Sequence, residues 1–94
     1  MMSARWVGQF AELTDRSDHP SMAAAVNSAS EAEALAVAVY LRSGHVLIDV
    51  LETRLDVLDG SAVEESSSVL GDGQWIWRED LAHYVAKYRL GLRL

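Results

Sequence analysis

At Gly44 the spacing of apolar residues changes period, and that switch sets most of what this chain can become. Upstream, Leu35, Ala38, Val39 and Arg42 recur at helical intervals in an alanine-rich run. The run opens on Ser30-Glu31-Ala32-Glu33, a capping-box pattern in which the Ser30 hydroxyl accepts from a backbone N–H near Glu33 and the Glu33 carboxylate reaches back. Ala34, Val37 and Leu41 widen the apolar surface, and Gly44 stands where a left-handed C-terminal cap belongs. Downstream, over residues 45–58, aliphatic residues at 47, 51, 55 and 57 alternate with Glu52, Arg54 and Asp56, the period of a strand. Val46, Ile48 and Val50 fall on the opposite parity, so the first half is either covered on both faces or shifted by a bulge near Asp49 to Leu51.

The rest of the chain supplies partners for that helix and strand. Asp59-Gly60 is a hairpin-turn signal, and residues 61–70 can return as a polar strand. Gly71-Asp72-Gly73 turns the chain again into the aromatic strand Gln74-Trp75-Ile76-Trp77. Leu81, Tyr84, Val85 and Tyr88 then form an amphipathic helical stripe starting near Arg78 or Glu79. The expected fold is α+β: a three-stranded antiparallel meander with helices packed on one face, in the order α-β-β-β-α over residues 30–94. Residues 1–29 precede it as a poorly legible segment of short helices within the same single domain. There, Trp6, Phe10 and Leu13 make a helical stripe, with an edge strand at residues 5–10 the competing reading, and Pro20 opens a second short helix ending near Asn27.

Composition excludes several kinds of chemistry. With 94 residues the chain is one domain, and no cysteine occurs, which removes disulfides, thiolate catalysis and thiolate-bound zinc. Half the residues are hydrophobic, too many for a wholly disordered chain. The start of the chain lacks a signal-peptide pattern and no apolar run is long enough to cross a bilayer, so a cytoplasmic location is expected. Glycine-rich phosphate loops, His-Glu-x-x-His and nucleophile elbows are missing, and His19, His45 and His83 are spaced for no metal. No catalytic residue, cofactor or metal is expected. His83 with Asp80, or His45 with Asp49, offers the only basis for an enzymatic alternative.

Charge points outward. The formal net charge is −6, which disfavours nucleic acid and anionic membranes. Residues 49–72 hold seven carboxylates and the single cation Arg54. Like charges gathered on neighbouring strands cost stability, so they are either a solvated surface or a surface kept for a basic protein partner. Glu52 and Asp56 share a parity facing water, and Glu64 or Glu65 joins them from the next strand. These four, with Trp75 as the aromatic anchor, are the expected contact residues. Trp75 and Trp77 also share a parity, and the plainer reading places both in the core.

The run Asp72-Gly73-Gln74-Trp75-Ile76-Trp77-Arg78-Glu79-Asp80-Leu81-Ala82-His83-Tyr84 resembles a group of small, functionally uncharacterised actinobacterial-type proteins sharing a D-G-x-W-x-W-x-x-D-L-A-x-Y pattern. Tyr40-Leu41-Arg42-Ser43-Gly44 and Asp56-Val57-Leu58-Asp59-Gly60 extend the likeness over about the last sixty residues. The chain departs at Arg78, where those proteins often carry Pro, and at Leu92-Arg93-Leu94, where they often continue through a Leu-Pro segment. The resemblance implies a strand-to-helix corner more than an activity, with Asp80 accepting free N–H groups at the helix start. The expected function is a non-enzymatic interaction module, most concretely an acidic inhibitor or immunity-type protein. The alternative is a homodimeric scaffold joined through an exposed strand edge or the tail from Leu90 to Leu94.

Overall fold

The computed structural model describes residues 5–92. Along the chain run β1 (Arg5–Trp6), α1 (Ala11–Thr14), α2 (Met22–Ala25), α3 (Glu31–Arg42), β2 (His45–Ile48), β3 (Arg54–Leu55), β4 (Ala62–Val63), β5 (Val69–Gly71), β6 (Trp75–Arg78) and α4 (Leu81–Tyr88). The architecture is α+β. A four-stranded sheet has the order β1-β6-β5-β2, and β3 with β4 forms a separate two-stranded ribbon.

The helix that leads into the period switch starts as its sequence dictates: the Ser30 hydroxyl accepts from the Glu33 N–H at 3.1 Å. Its buried stripe is Ala34, Ala38 and Leu41, whereas Leu35 and Val39 stand exposed. The expected inward face is therefore rotated, because the small side chains of Ala34 and Ala38, one turn apart, let α3 pack closely against α4. Gly44 does not take the expected left-handed cap; the chain ends α3 through Ser43, whose N–H donates to the Tyr40 carbonyl. Glycine is needed there for space, since a Cβ would come within 2.6 Å of the Trp77 ring.

The expected strand over residues 45–58 is broken into two. β2 pairs antiparallel with β5, and a bulge falls at Leu47, between the Val46–Leu70 and Ile48–Val69 pairs, rather than near Asp49 to Leu51. Beyond Ile48 a side chain replaces the ladder: the Ser68 hydroxyl accepts from the Val50 N–H at 2.8 Å. The returning strand divides likewise into β4 and β5, with Arg54 opposite Val63 and Leu55 opposite Ala62 around the Asp59-Gly60 turn. The main sheet thus has four strands rather than three. The fourth comes from the N-terminal segment: β1 lies parallel to β6, with Arg5 opposite Trp75 and Trp6 opposite Ile76.

One face of this sheet carries the core. Val7, Leu70 and Trp77 bury against Ala38 and Leu41 of α3 and Leu81, Tyr84 and Val85 of α4. The fully buried Trp77 also donates its indole N–H to the Leu41 carbonyl at 3.0 Å, which pins helix to sheet. The aromatic corner expected to dock a helix does so, but Asp80 does not cap it. Its carboxylate is held by Arg78, Nε to Oδ1 at 3.0 Å and the second fork nitrogen to Oδ2 at 2.7 Å. The remaining guanidinium nitrogen donates to the Leu13 carbonyl at 2.9 Å, so Arg78 ties α1 to the start of α4. Gly8, at φ +74°, lies against Leu81 with no room for a Cβ. Residues 5–29 are accordingly integral to the fold.

Candidate functional site

Of the residues expected to meet a partner, Asp56 is placed most differently. It is buried, not facing water. Its carboxylate accepts from His83 Nε2 at 2.8 Å, the Tyr88 hydroxyl at 2.9 Å, and the backbone N–H groups of Leu58 and Asp59 at 2.8 and 3.1 Å. These contacts clamp the turn after β3 to α4, and the Tyr84 hydroxyl accepts from Val57 N–H beside them. Burial alone raises the Asp56 carboxyl, but the hydrogen bonds outweigh it and hold the group below the usual carboxylate range. Burial, then the bond to Asp56, pushes the Tyr88 hydroxyl up to about 12. Lys87 closes the outer side of the clamp on Asp59, whose carboxyl that ammonium lowers.

His83 therefore pairs with Asp56, and Asp80 with Arg78, so the His83–Asp80 pair does not form. A buried carboxylate on one imidazole nitrogen orients a ring for proton transfer, yet the same contacts serve fully as a fastening of the β3–β4 ribbon. Neither of the two grooves described in the molecule is lined by His83 or Asp56. His45 is exposed at the start of β2, opposite Gly71, and Asp49 accepts from the Ser68 hydroxyl at 3.2 Å. Among the described residues no group of three or more His, Asp or Glu is arranged to hold a metal. Within them, no helix is long and apolar enough to cross a membrane.

The other acidic positions lie at or near the surface, and Glu52 and Glu65 have partners of their own. Glu52 is exposed, accepts from Arg54 at 3.1 Å and from the Ser67 hydroxyl, and is lowered by those bonds and by the field of Arg78 at the end of β6. Glu65 meets Arg42 at 3.3 Å, and Glu64 is exposed. Trp75 is half-buried. It lines a groove of about 380 Å³ with Val37, Tyr40, Leu90 and Leu92, where the Tyr40 hydroxyl donates to Asp72. Leu90 itself is buried, which removes it from a protruding tail, and Arg93 and Leu94 lie outside the described residues.

What the sequence reading missed is the face of the sheet opposite the core. Register places Trp6, Ile76 and Gly71 in one row on that face, and Val69 beside them. Leu47 covers Gly71 from β2, its Cδ1 lying 2.9 Å from where a Cβ would sit, with Ile76 at 3.1 Å. The helices of the core do not cover this row. Leu47 is 56% exposed, Ile48 59% and Trp6 44%, and Leu51 just beyond is 92% exposed. A sheet covered on one side is ordinarily polar on the other, and this one is largely apolar between His45 and Arg78, which share the face. The signal was present in Trp75-Ile76-Trp77, where Ile76 must oppose the two indoles, and in Trp6, but the assignment of Trp6 to a helix hid the row. No family model, curated protein or solved structure matches this chain.

Proposed function

We propose that this chain is a non-enzymatic protein-interaction module that presents the outer face of its sheet to a protein partner with a basic surface. The observation that carries the reading is the partly exposed apolar row of Trp6, Ile76 and Leu47, continued by Ile48 and Leu51, on the sheet face turned away from α3 and α4. A partly exposed tryptophan among aliphatic side chains is the usual make-up of an interface anchor, and Trp6 fits that part better than the half-buried Trp75. Asp49 and Glu52 follow directly on β2, and with Glu64, Glu65 and the net charge of −6 they favour encounter with cations. Asp56 has no part in steering, because its charge is consumed inside the fold.

Such a protein acts by covering its partner, as an acidic inhibitor or immunity-type protein does. A cysteine-free chain suits a reducing compartment, so we place the encounter in the cytoplasm. The likeness to the actinobacterial-type pattern fits this division of labour, since Trp77 and Leu81 serve the core and leave recognition to other residues. The test is affinity capture from host extract with the native chain, Leu47→Glu and Glu52→Lys in parallel. A basic protein retained by the native chain, released by rising salt and lost with both variants supports the reading. A captured protein indifferent to salt and to both changes overturns it.

A further inference from the structure

The chain between β2 and β5 is attached to the molecule differently from every other element. Over residues 49–67 only Asp56 and Val63 are buried, and neither belongs to the hydrophobic core. Leu58 is the single apolar side chain of this stretch that packs against that core, and it is only partly buried. The β3–β4 ribbon pairs with no strand of the main sheet, and each of its strands is two residues long. A two-stranded ribbon of this size has little stability of its own, so its contacts with the body must hold it in place.

Those contacts are polar and converge on α4. Asp56 accepts from His83 and Tyr88, and the Val57 N–H donates to the Tyr84 hydroxyl. Lys87 reaches Asp59 and, at 3.1 Å, the Ser61 hydroxyl. The seam along α4 is thus made by residues on neighbouring turns of one helix. The base of the excursion is closed separately, at Ser68: its hydroxyl accepts from the Val50 N–H, and its carbonyl accepts from the Glu79 N–H at 2.7 Å. Glu65 with Arg42, and the Ser66 N–H with Glu79 at 3.0 Å, hold the stem beside that base. Segments with few buried apolar contacts open at a lower free energy than the core. Here the carboxylate that anchors the ribbon also shapes its turn, through the N–H groups of Leu58 and Asp59, so releasing Asp56 loosens turn and anchorage together.

We infer that the β3–β4 ribbon is a flap, hinged near Ser68 and latched by Asp56, that lifts off α4 as a unit while the four-stranded sheet, α3 and α4 stay folded. Lifting frees the His83 imidazole and the hydroxyls of Tyr84 and Tyr88, three groups that the closed fold keeps engaged. It also turns the Asp56 carboxylate out to solvent and releases Asp59 from Lys87, so the lifted chain presents more free negative charge than the closed one. The flap is a property of the chain alone and does not rest on the basic partner.

Native-state hydrogen exchange of the full chain, read amide by amide by NMR, tests this. The Val57 and Leu58 amides, tied to Tyr84 and Asp56, are expected to exchange at least about a hundredfold faster than those of Leu41 and Val85, and to depend little on low urea. Tyr88→Phe removes one arm of the latch and speeds Val57 and Leu58 about fivefold. Met22→Ala opens a cavity in the core at α2 and speeds Leu41 and Val85 about thirtyfold, leaving Val57 and Leu58 as they were. Only a ribbon that opens while the core stays closed responds to the first variant and ignores the second. Ribbon amides as slow as those of the core, ribbon amides that follow Met22→Ala, or ribbon amides indifferent to Tyr88→Phe each overturn the proposal.

Discussion

β6 and β2 are both four-residue strands of one sheet, Trp-Ile-Trp-Arg and His-Val-Leu-Ile, and they meet opposite fates. β6 lies between β1 and β5, its Trp77 sealed under α3 and its Arg78 tied to Asp80 and Leu13. β2, no less apolar over its last three residues, lies at the rim with every side chain exposed. Hydrophobicity alone does not decide burial; position in the strand order and the cover supplied by helices do. Where an apolar strand is left without cover, the surplus is free for another molecule.

Substitution separates the two regions, beginning with the largest effect. Trp77→Ala removes the buried indole and its bond to Leu41, and a loss of about 4 kcal/mol in urea unfolding is expected. A loss below about 1 kcal/mol would mean that the core does not rest on β6. Asp56→Ala strands the donors of His83, Tyr88, Leu58 and Asp59 and is expected to lose about 3 kcal/mol. Because folding lowers the Asp56 carboxyl, its contribution is complete above about pH 4 and drains away as the pH falls further, and the variant should show a shallower acid limb.

Tyr88→Phe is a smaller change, about 1 kcal/mol, with a diagnostic pH dependence. The hydroxyl is pushed up to about 12 in the folded chain, so its contribution holds below about pH 10 and is lost as the pH rises through about 12. Stability of the phenylalanine variant should be flatter across that alkaline range. At the far end of the scale, Leu51→Ser changes a side chain that is 92% exposed and should shift stability by no more than about 0.5 kcal/mol. A larger loss from Leu51→Ser would mean that the rim is structural and would erase the contrast with β6.

The local signals that proved legible were those with a short-range physical cause. The Ser30 cap, the Asp59-Gly60 turn and the stripe of Leu81, Tyr84 and Val85 depend on neighbours three or four residues away. Features set by distant residues were not legible. Which stripe of α3 turns inward depends on how closely α4 approaches, and Gly44 is small because Trp77 needs its space. Asp56 sits in a clean alternation with Glu52 and Arg54, and nothing local reports that His83 and Tyr88 arrive from the last helix to enclose it. Of the expected contact residues, Glu52 and Glu64 were rightly placed at the surface, whereas the outer row emerged only once β1 was seen to lie beside β6.

That parallel pairing has a consequence for the life of the molecule. Among the described residues, Arg5 and Trp6 have their only strand neighbour in Trp75 and Ile76, which are synthesised after every other strand of the sheet. They must wait, without that neighbour, until β6 has been synthesised. The sheet is closed by its earliest segment last, and a nascent chain that stops short of β6, whatever helices it holds, is left with an apolar seam that β6 alone can shut.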